Sequence, residues 1–176
     1  TAVWFRCAFG VAALTAAALA LGSVRELAIT GRALRRALLL SALMLANWVL
    51  FFAAVQKTSI AVATVVFHVQ PFLVMGIAAV WLGERPHRSH WLAAAAALAG
   101  LYLASGLAGG EGEAALESDD YVMGLAACFL AALSYALVVI VARRSSGASP
   151  LALAWWQCVV GTVALVGWPI WHGWPA

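Results

Sequence analysis

Long apolar runs, each closed by a short polar stretch, divide the chain into six segments: residues 3–22, 37–56, 61–83, 91–108, 121–142 and 151–168. An α-helix rises about 1.5 Å per residue and the hydrocarbon core of a bilayer is about 30 Å thick, so each segment, with some tilt, reaches across. The pattern predicts an all-α integral membrane protein with six transmembrane helices.

The polar stretches between the segments differ in sign. The first carries Arg25, Arg32, Arg35 and Arg36, the third Arg85 and Arg88, and the fifth Arg143 and Arg144. The second carries Lys57. The fourth, residues 109–120, holds Glu111, Glu113, Glu117, Asp119 and Asp120 and no basic residue. Basic loops are retained on the cytoplasmic side, which puts loops one, three and five inside and both chain ends outside. Trp81 and Trp91 flank the third loop, and Trp168, Trp171 and Trp174 close the last segment. An indole at a membrane edge keeps its ring in the apolar layer and its N–H wet.

Composition agrees. Of 176 residues, 65% are hydrophobic and 10% charged, and the mean hydropathy is +0.98. Soluble domains average about 45–50% apolar and about 25% charged residues, so a soluble enzyme, a nucleic-acid-binding module and a disordered tail are excluded. The net charge of +3 lies in loop clusters and does not indicate a nucleic-acid partner. The partner is the lipid bilayer. Cys7, Cys128 and Cys158 sit inside apolar runs with no metal-ligand spacing and read as small membrane-core residues. Neither a metal nor a cofactor is expected. Residues 1–22 resemble a signal peptide only loosely, because the run after Arg6 is as long as a span and no basic leader precedes it; the expectation is a chain that starts inside a larger protein. Abundant Ala, Leu and Arg with a single Lys suggests GC-rich coding and a bacterial plasma (inner) membrane.

The first and last segments resemble each other. Residues 2–14 align without gaps on residues 153–165, with identities at Trp4/Trp155, Cys7/Cys158, Gly10/Gly161, Ala13/Ala164 and Leu14/Leu165. The copies are five segments apart. An odd separation makes them cross in opposite directions, and an inverted repeat is the architecture of many secondary transporters.

A family resemblance lies in the run from Lys57 through Thr58, Ser59 and Ile60 to Thr64, in Gln70-Pro71-Phe72, and in Trp81-Leu82-Gly83-Glu84-Arg85 followed by Trp91. These elements are similar to the signature of EamA-type transporters, of the drug/metabolite transporter superfamily. The stretch from Ser149-Pro150 through Trp156-Gln157 to Gly161 also resembles the start of that family's second half. The resemblance implies ten helices in two inverted halves of five, with this chain holding helices two to seven. Residues 1–108 would be most of the first repeat, 109–120 an acidic extracytoplasmic linker, and 121–176 the start of the second repeat. It implies a secondary transporter, exporting amino acids or related small metabolites by alternating access.

Several polar residues lie within spans. A charge in hydrocarbon is costly, so Arg6 either faces a cavity, where it would attract an anionic group, or snorkels to the headgroups. Its repeat counterpart is Gln157. The third span holds Thr64, His68, Gln70 and Pro71. Proline lacks an N–H, so Pro71 cannot bond the Phe67 carbonyl and should break the helix there, making room for irregular backbone beside a cavity. Thr64 and His68 share a helix face, with Gln70 nearly opposite. His68, a residue type able to take up or release a proton, is the sharper pathway candidate; the alternative is a histidine satisfied between helices. Asn47 and Trp48 in the second span, and Ser134 and Tyr135 in the fifth, are either solute contacts or interhelical ties. Trp155 and Trp156 either wall a cavity or anchor the membrane edge. Glu84 and Arg85 read as structural, with Glu84 pairing to a cytoplasmic arginine. All seven acidic residues lie in loops, leaving no mid-membrane carboxylate for a proton relay. Ala96, Gly100 and Ala104 form a small-residue face suited to packing or a homodimer.

Two other classes compete with a transporter. An intramembrane enzyme would need an activated nucleophile at membrane depth, and Ser134 and His68 come without a GxSxG elbow or an HExxH pair. A purely structural membrane protein would not need polar residues collected near mid-membrane.

Overall fold

The computed structural model describes residues 2–104, 118–144 and 149–167. Among the described residues every regular element is helical. In chain order these are α1 (Ala2–Ala20), α2 (Val24–Leu27), α3 (Gly31–Lys57), α4 (Ile60–Phe67), α5 (Gln70–Ile77), α6 (Arg88–Ala104), α7 (Asp119–Arg143) and α8 (Pro150–Leu165), with a π-helical turn, Ala78–Leu82, continuing α5. Three stretches are long and apolar enough to cross a membrane: Gly31–Lys57, Ile60–Leu82 and Asp119–Arg143. They correspond to the second, third and fifth expected spans. Trp4–Ala20 and Pro150–Leu165 are shorter apolar helices. The end of the fourth expected span, most of the acidic stretch with Glu111, Glu113 and Glu117, and Trp168, Trp171 and Trp174 lie outside the described residues.

Two boundaries differ from expectation. The first loop contains a short helix, α2, and α3 begins at Gly31 rather than near residue 37. Arg32, Arg35 and Arg36 therefore lie in the first turns of a helix. A hydropathy boundary marks where apolar side chains begin, whereas the backbone helix runs on past it. The third span is broken. Helix α4 ends at Phe67, His68 is its C-cap, and α5 restarts at Gln70 with Pro71 in its first turn. Val69 N–H bonds the Val66 carbonyl at 3.1 Å and Phe72 N–H bonds the Val69 carbonyl at 3.0 Å. These i→i−3 bonds tighten the chain around the position where Pro71 has no N–H to give.

Helix ends explain much of the sequence motif. Ser59 is extended, and its hydroxyl accepts the Val62 N–H at 3.2 Å, an N-cap for α4. Ser149 caps α8 in the same way through Ala152 N–H, also at 3.2 Å, ahead of Pro150. At the other end of the third span, Gly83 has φ +68° and Gly83 and Glu84 both direct their N–H groups to the Ala78 carbonyl. Only glycine adopts this left-handed conformation without strain, so the Gly of Leu-Gly-Glu-Arg is a helix stop.

The chain divides into two compact units, Thr1–Leu45 with Val141–Ala176, and Ala46–Ile140. In the first, α1 and α2 pack against α8, and Arg36 Nη1 donates to the Arg144 carbonyl at 3.2 Å. In the second, Ala54, Ala63 and Cys128 form a buried centre with Phe51, Val55, Val66, Phe67 and Ala127 around it. Gly124 lets α7 approach the end of α3 closely: a Cβ there would lie 2.7 Å from Thr58 Cγ2 and 2.9 Å from Lys57 Cβ. At the same end Lys57 is paired with Asp120. Both residues are exposed, just outside the apolar runs. The lysine's hydrogen bond and charge hold the Asp120 carboxyl below its ordinary value.

Two substitutions test these placements. Gly83→Ala should lower stability by about 1–2 kcal/mol, the cost of a left-handed non-glycine residue. Gly124→Ala should cost about 1–3 kcal/mol through overpacking against Thr58 and Lys57. Thermal unfolding in detergent measures both, and an unchanged midpoint for either variant would refute the corresponding contact.

Candidate functional site

In an apolar surround a hydroxyl must find an acceptor, and the nearest is the carbonyl one helical turn back. Thr15 donates to Val11 O at 2.7 Å, Ser41 to Ala37 O at 2.7 Å, Thr58 to Ala54 O at 2.8 Å, Thr64 to Ile60 O at 2.6 Å and Thr162 to Cys158 O at 2.8 Å. His68 follows suit. Its Nδ1 lies 2.7 Å from Thr64 O, so Nδ1 carries the proton in this contact and Nε2 is directed elsewhere. The His68 side chain is exposed, open to lipid or to water in a cavity. Thr64 and His68 thus meet as expected, through a main-chain oxygen.

In the second unit α3 presents Asn47, buried at 4% exposure, and Phe51 one turn further on. The Phe51 ring stands 5.2 Å from that of Phe67, on the last turn of α4. Phe67 in turn meets Tyr135 of α7 at 6.1 Å. Both pairs are edge-to-face, the geometry the ring quadrupole favours. Cys128 packs against Phe51 and Phe67 in the same cluster: its thiol donates to the Ala63 carbonyl at 3.0 Å and is fully buried. The candidates Asn47 and Tyr135 therefore border one aromatic cluster beside the α4–α5 break. Trp48, Ser134 and Gln70 are half-buried in the same unit, and Pro71 is exposed. Phe51 and Phe67 were not singled out as site candidates from sequence, whereas Cys128 was read as a small membrane-core residue and is buried. The signal that points to Phe51 is its spacing with Leu40, Asn47 and Ala54 along one face of α3.

In the first unit α1 and α8, which carry the two aligned stretches of sequence, lie against each other. The matched residues meet reciprocally. A Cβ on Gly161 would sit 2.6 Å from Cys7 Sγ, and a Cβ on Gly10 would sit 2.7 Å from Cys158 Sγ. Each cysteine seats on the other copy's glycine. Trp4 Nε1 donates to Thr162 O at 3.1 Å. Exchanging the copies would send Trp155 to Val11 O; that oxygen takes the Thr15 hydroxyl, and Trp155 donates to the hydroxyl at 2.9 Å. Trp156 donates to Leu27 O at 3.0 Å. Both indoles are thus tied within the protein, rather than to headgroups as an edge anchor would be. Arg6 is exposed and Gln157 half-buried. Glu84 and Arg85 are exposed just beyond the Gly83 stop.

Apolar helices of spanning length, whose polar side chains turn inward to their own carbonyls, define a membrane-embedded helical protein. The chain belongs to the EamA-like transporter family, whose model matches residues 1–106. That match contains the Lys57–Thr64, Gln70–Phe72 and Leu82–Arg85 elements; the resemblance noted from Ser149 to Gly161 lies beyond it. Members of this family are transporters. No curated protein and no solved structure matches the chain.

The reciprocal contact is open to a double-mutant cycle. Gly161→Ala should lower stability by about 1–3 kcal/mol through its clash with Cys7. Adding Cys7→Ala should recover at least about 0.5 kcal/mol of that loss, a coupling typical of residues in contact. Additive losses in thermal unfolding would show that the two side chains do not meet.

Proposed function

We propose that the chain is the greater part of a secondary transporter that exports amino acids or related small metabolites by alternating access, with no covalent chemistry. The observation that carries this reading is the reciprocal seating of Cys7 on Gly161 and Cys158 on Gly10. Helices related by a sequence repeat, packed on their matching residues, are what an inverted-repeat transporter needs where its halves meet. In this reading the six helices span the bacterial inner membrane. Residues 1–108 hold four spans of the first repeat, 109–120 the external linker, and 121–176 two spans of the second.

Two contacts support the alternating orientation. Lys57 pairs with Asp120, joining the second and fourth loops, both assigned outside. Arg36 bonds the Arg144 carbonyl, joining the first and fifth, both assigned inside. Solute contacts are proposed in each unit by itself: Asn47, Trp48, Thr64, His68, Gln70, Pro71, Ser134 and Tyr135 in the second, Arg6 and Gln157 in the first. With no carboxylate in the apolar runs of this sequence, proton coupling would fall to His68, through the Nε2 that its Thr64 contact leaves available, or to a residue in helices beyond this chain.

Substitution separates the site from the scaffold. In vesicles from cells expressing the protein as its gene encodes it, Arg6→Ala, His68→Ala and Gln70→Ala should each be tested for solute flux. At least one should lose roughly tenfold or more, the equivalent of one hydrogen bond to a charged group. Unchanged flux in all three would remove these residues from the pathway.

A further inference from the structure

Thr15, Ser41, Thr58, Thr64, Thr162, His68, Cys128, Trp4 and Trp156 each direct a polar group to a main-chain carbonyl. Asn47 does not follow them. It is 4% exposed, and its Oδ1 is buried with no hydrogen-bond partner. An acceptor left in this state costs free energy that a leucine of similar size would not. Its own helix cannot relieve it, because an oxygen without a hydrogen has nothing to give a carbonyl. It needs a donor that the described residues do not supply.

The surroundings indicate what kind of donor. One turn along the same face is Phe51, which leads edge-on to Phe67 and then to Tyr135. No carboxylate lies in any apolar run of the chain. A positively charged visitor would thus be met by a carbonyl dipole and by ring faces rather than by a counter-charge, and aromatic faces attract ammonium groups. The adjoining break between α4 and α5 ends the regular helix beside Phe67.

We infer that Asn47 Oδ1 is the acceptor for an N–H of the transported solute, and that this unit takes solutes bearing a primary ammonium on an apolar body. The inference rests on the transporter reading above. Asn47 supplies the directional contact. Phe51, Phe67 and Tyr135 supply the apolar and cation-facing wall. The empty acceptor makes the solute-free state the less satisfied one, and a solute without an N–H gains nothing from it.

The test compares two probes of equal charge and similar body, 2-phenylethylamine and trimethyl(2-phenylethyl)ammonium, by equilibrium dialysis with the purified protein in detergent. The wild type should prefer the primary amine by roughly tenfold, the scale of one charged hydrogen bond. In Asn47→Leu the preference should vanish through loss of amine binding, with the quaternary probe unchanged and the thermal midpoint raised. Asn47→Asp, which retains an acceptor, should keep the preference and guards against misfolding of the leucine variant. A preference that survives Asn47→Leu, or a wild type that binds the amine no better than its quaternary partner, overturns the inference. Flux is measured separately in vesicles. Solute flux without amine preference defeats this inference alone, whereas amine preference without flux of any solute defeats the transporter reading and leaves the role of Asn47 in place.

Discussion

In hydrocarbon no water is available to complete a hydrogen bond, so each main-chain group must be satisfied by the protein itself. Regular helices meet most of that demand and fail it at their ends and breaks. The side chains of this protein are placed accordingly. Ser59 and Ser149 supply acceptors where helices begin. Gly83 folds the chain back to let two N–H groups share the Ala78 carbonyl where one ends. Cys128 reaches from α7 to the Ala63 carbonyl one turn before α4 stops. Polarity that resembles a collection of functional groups in the sequence is, for the most part, consumed by the backbone. Threonine and serine hydroxyls lie one turn from the oxygen that takes them, and even the histidine at the helix break does so.

That consumption governs which features the sequence displays. The second, third and fifth expected spans were legible because apolar run length answers directly to bilayer thickness, and the break in the third followed from Pro71 alone. The Leu-Gly-Glu-Arg element was recognisable as a pattern, but its cause is conformational and appears only with the φ of Gly83. The aromatic cluster was not legible. Phe51, Phe67 and Tyr135 come from three helices, each apolar around much of its circumference. No polar face fixes which way such a helix is turned, and rotation about the axis decides which rings meet. The early start of α3 was missed for a related reason: arginines that mark a loop by charge are also good helix formers, so Arg32, Arg35 and Arg36 continue the helix into the polar layer.

The first and last apolar segments share five identities, and the matched residues that meet have a physical reason to match. A helix pair in lipid gains little from burying apolar surface, because lipid is equally apolar; close van der Waals approach is what remains, and glycine permits it. Gly10 and Gly161 remove the β-carbon at two points, and Cys7 and Cys158 are small enough to fill the spaces. Changing one member of either pair alone would leave a clash or a void.

The two ends of that pair are unequal. Thr162 lies in the last turn of α8, where no following residue of the helix remains to bond its oxygen, and Trp4 provides the N–H. At the opposite end Trp155 rests on the Thr15 hydroxyl, which keeps its own bond to Val11 whether or not the indole is there. Parting the helices at the Trp4 end strands an indole and a carbonyl; parting them at the Trp155 end strands an indole alone. A nearly two-fold joint has in this way acquired a direction, and it would unzip more readily from the side where a single hydroxyl has been interposed.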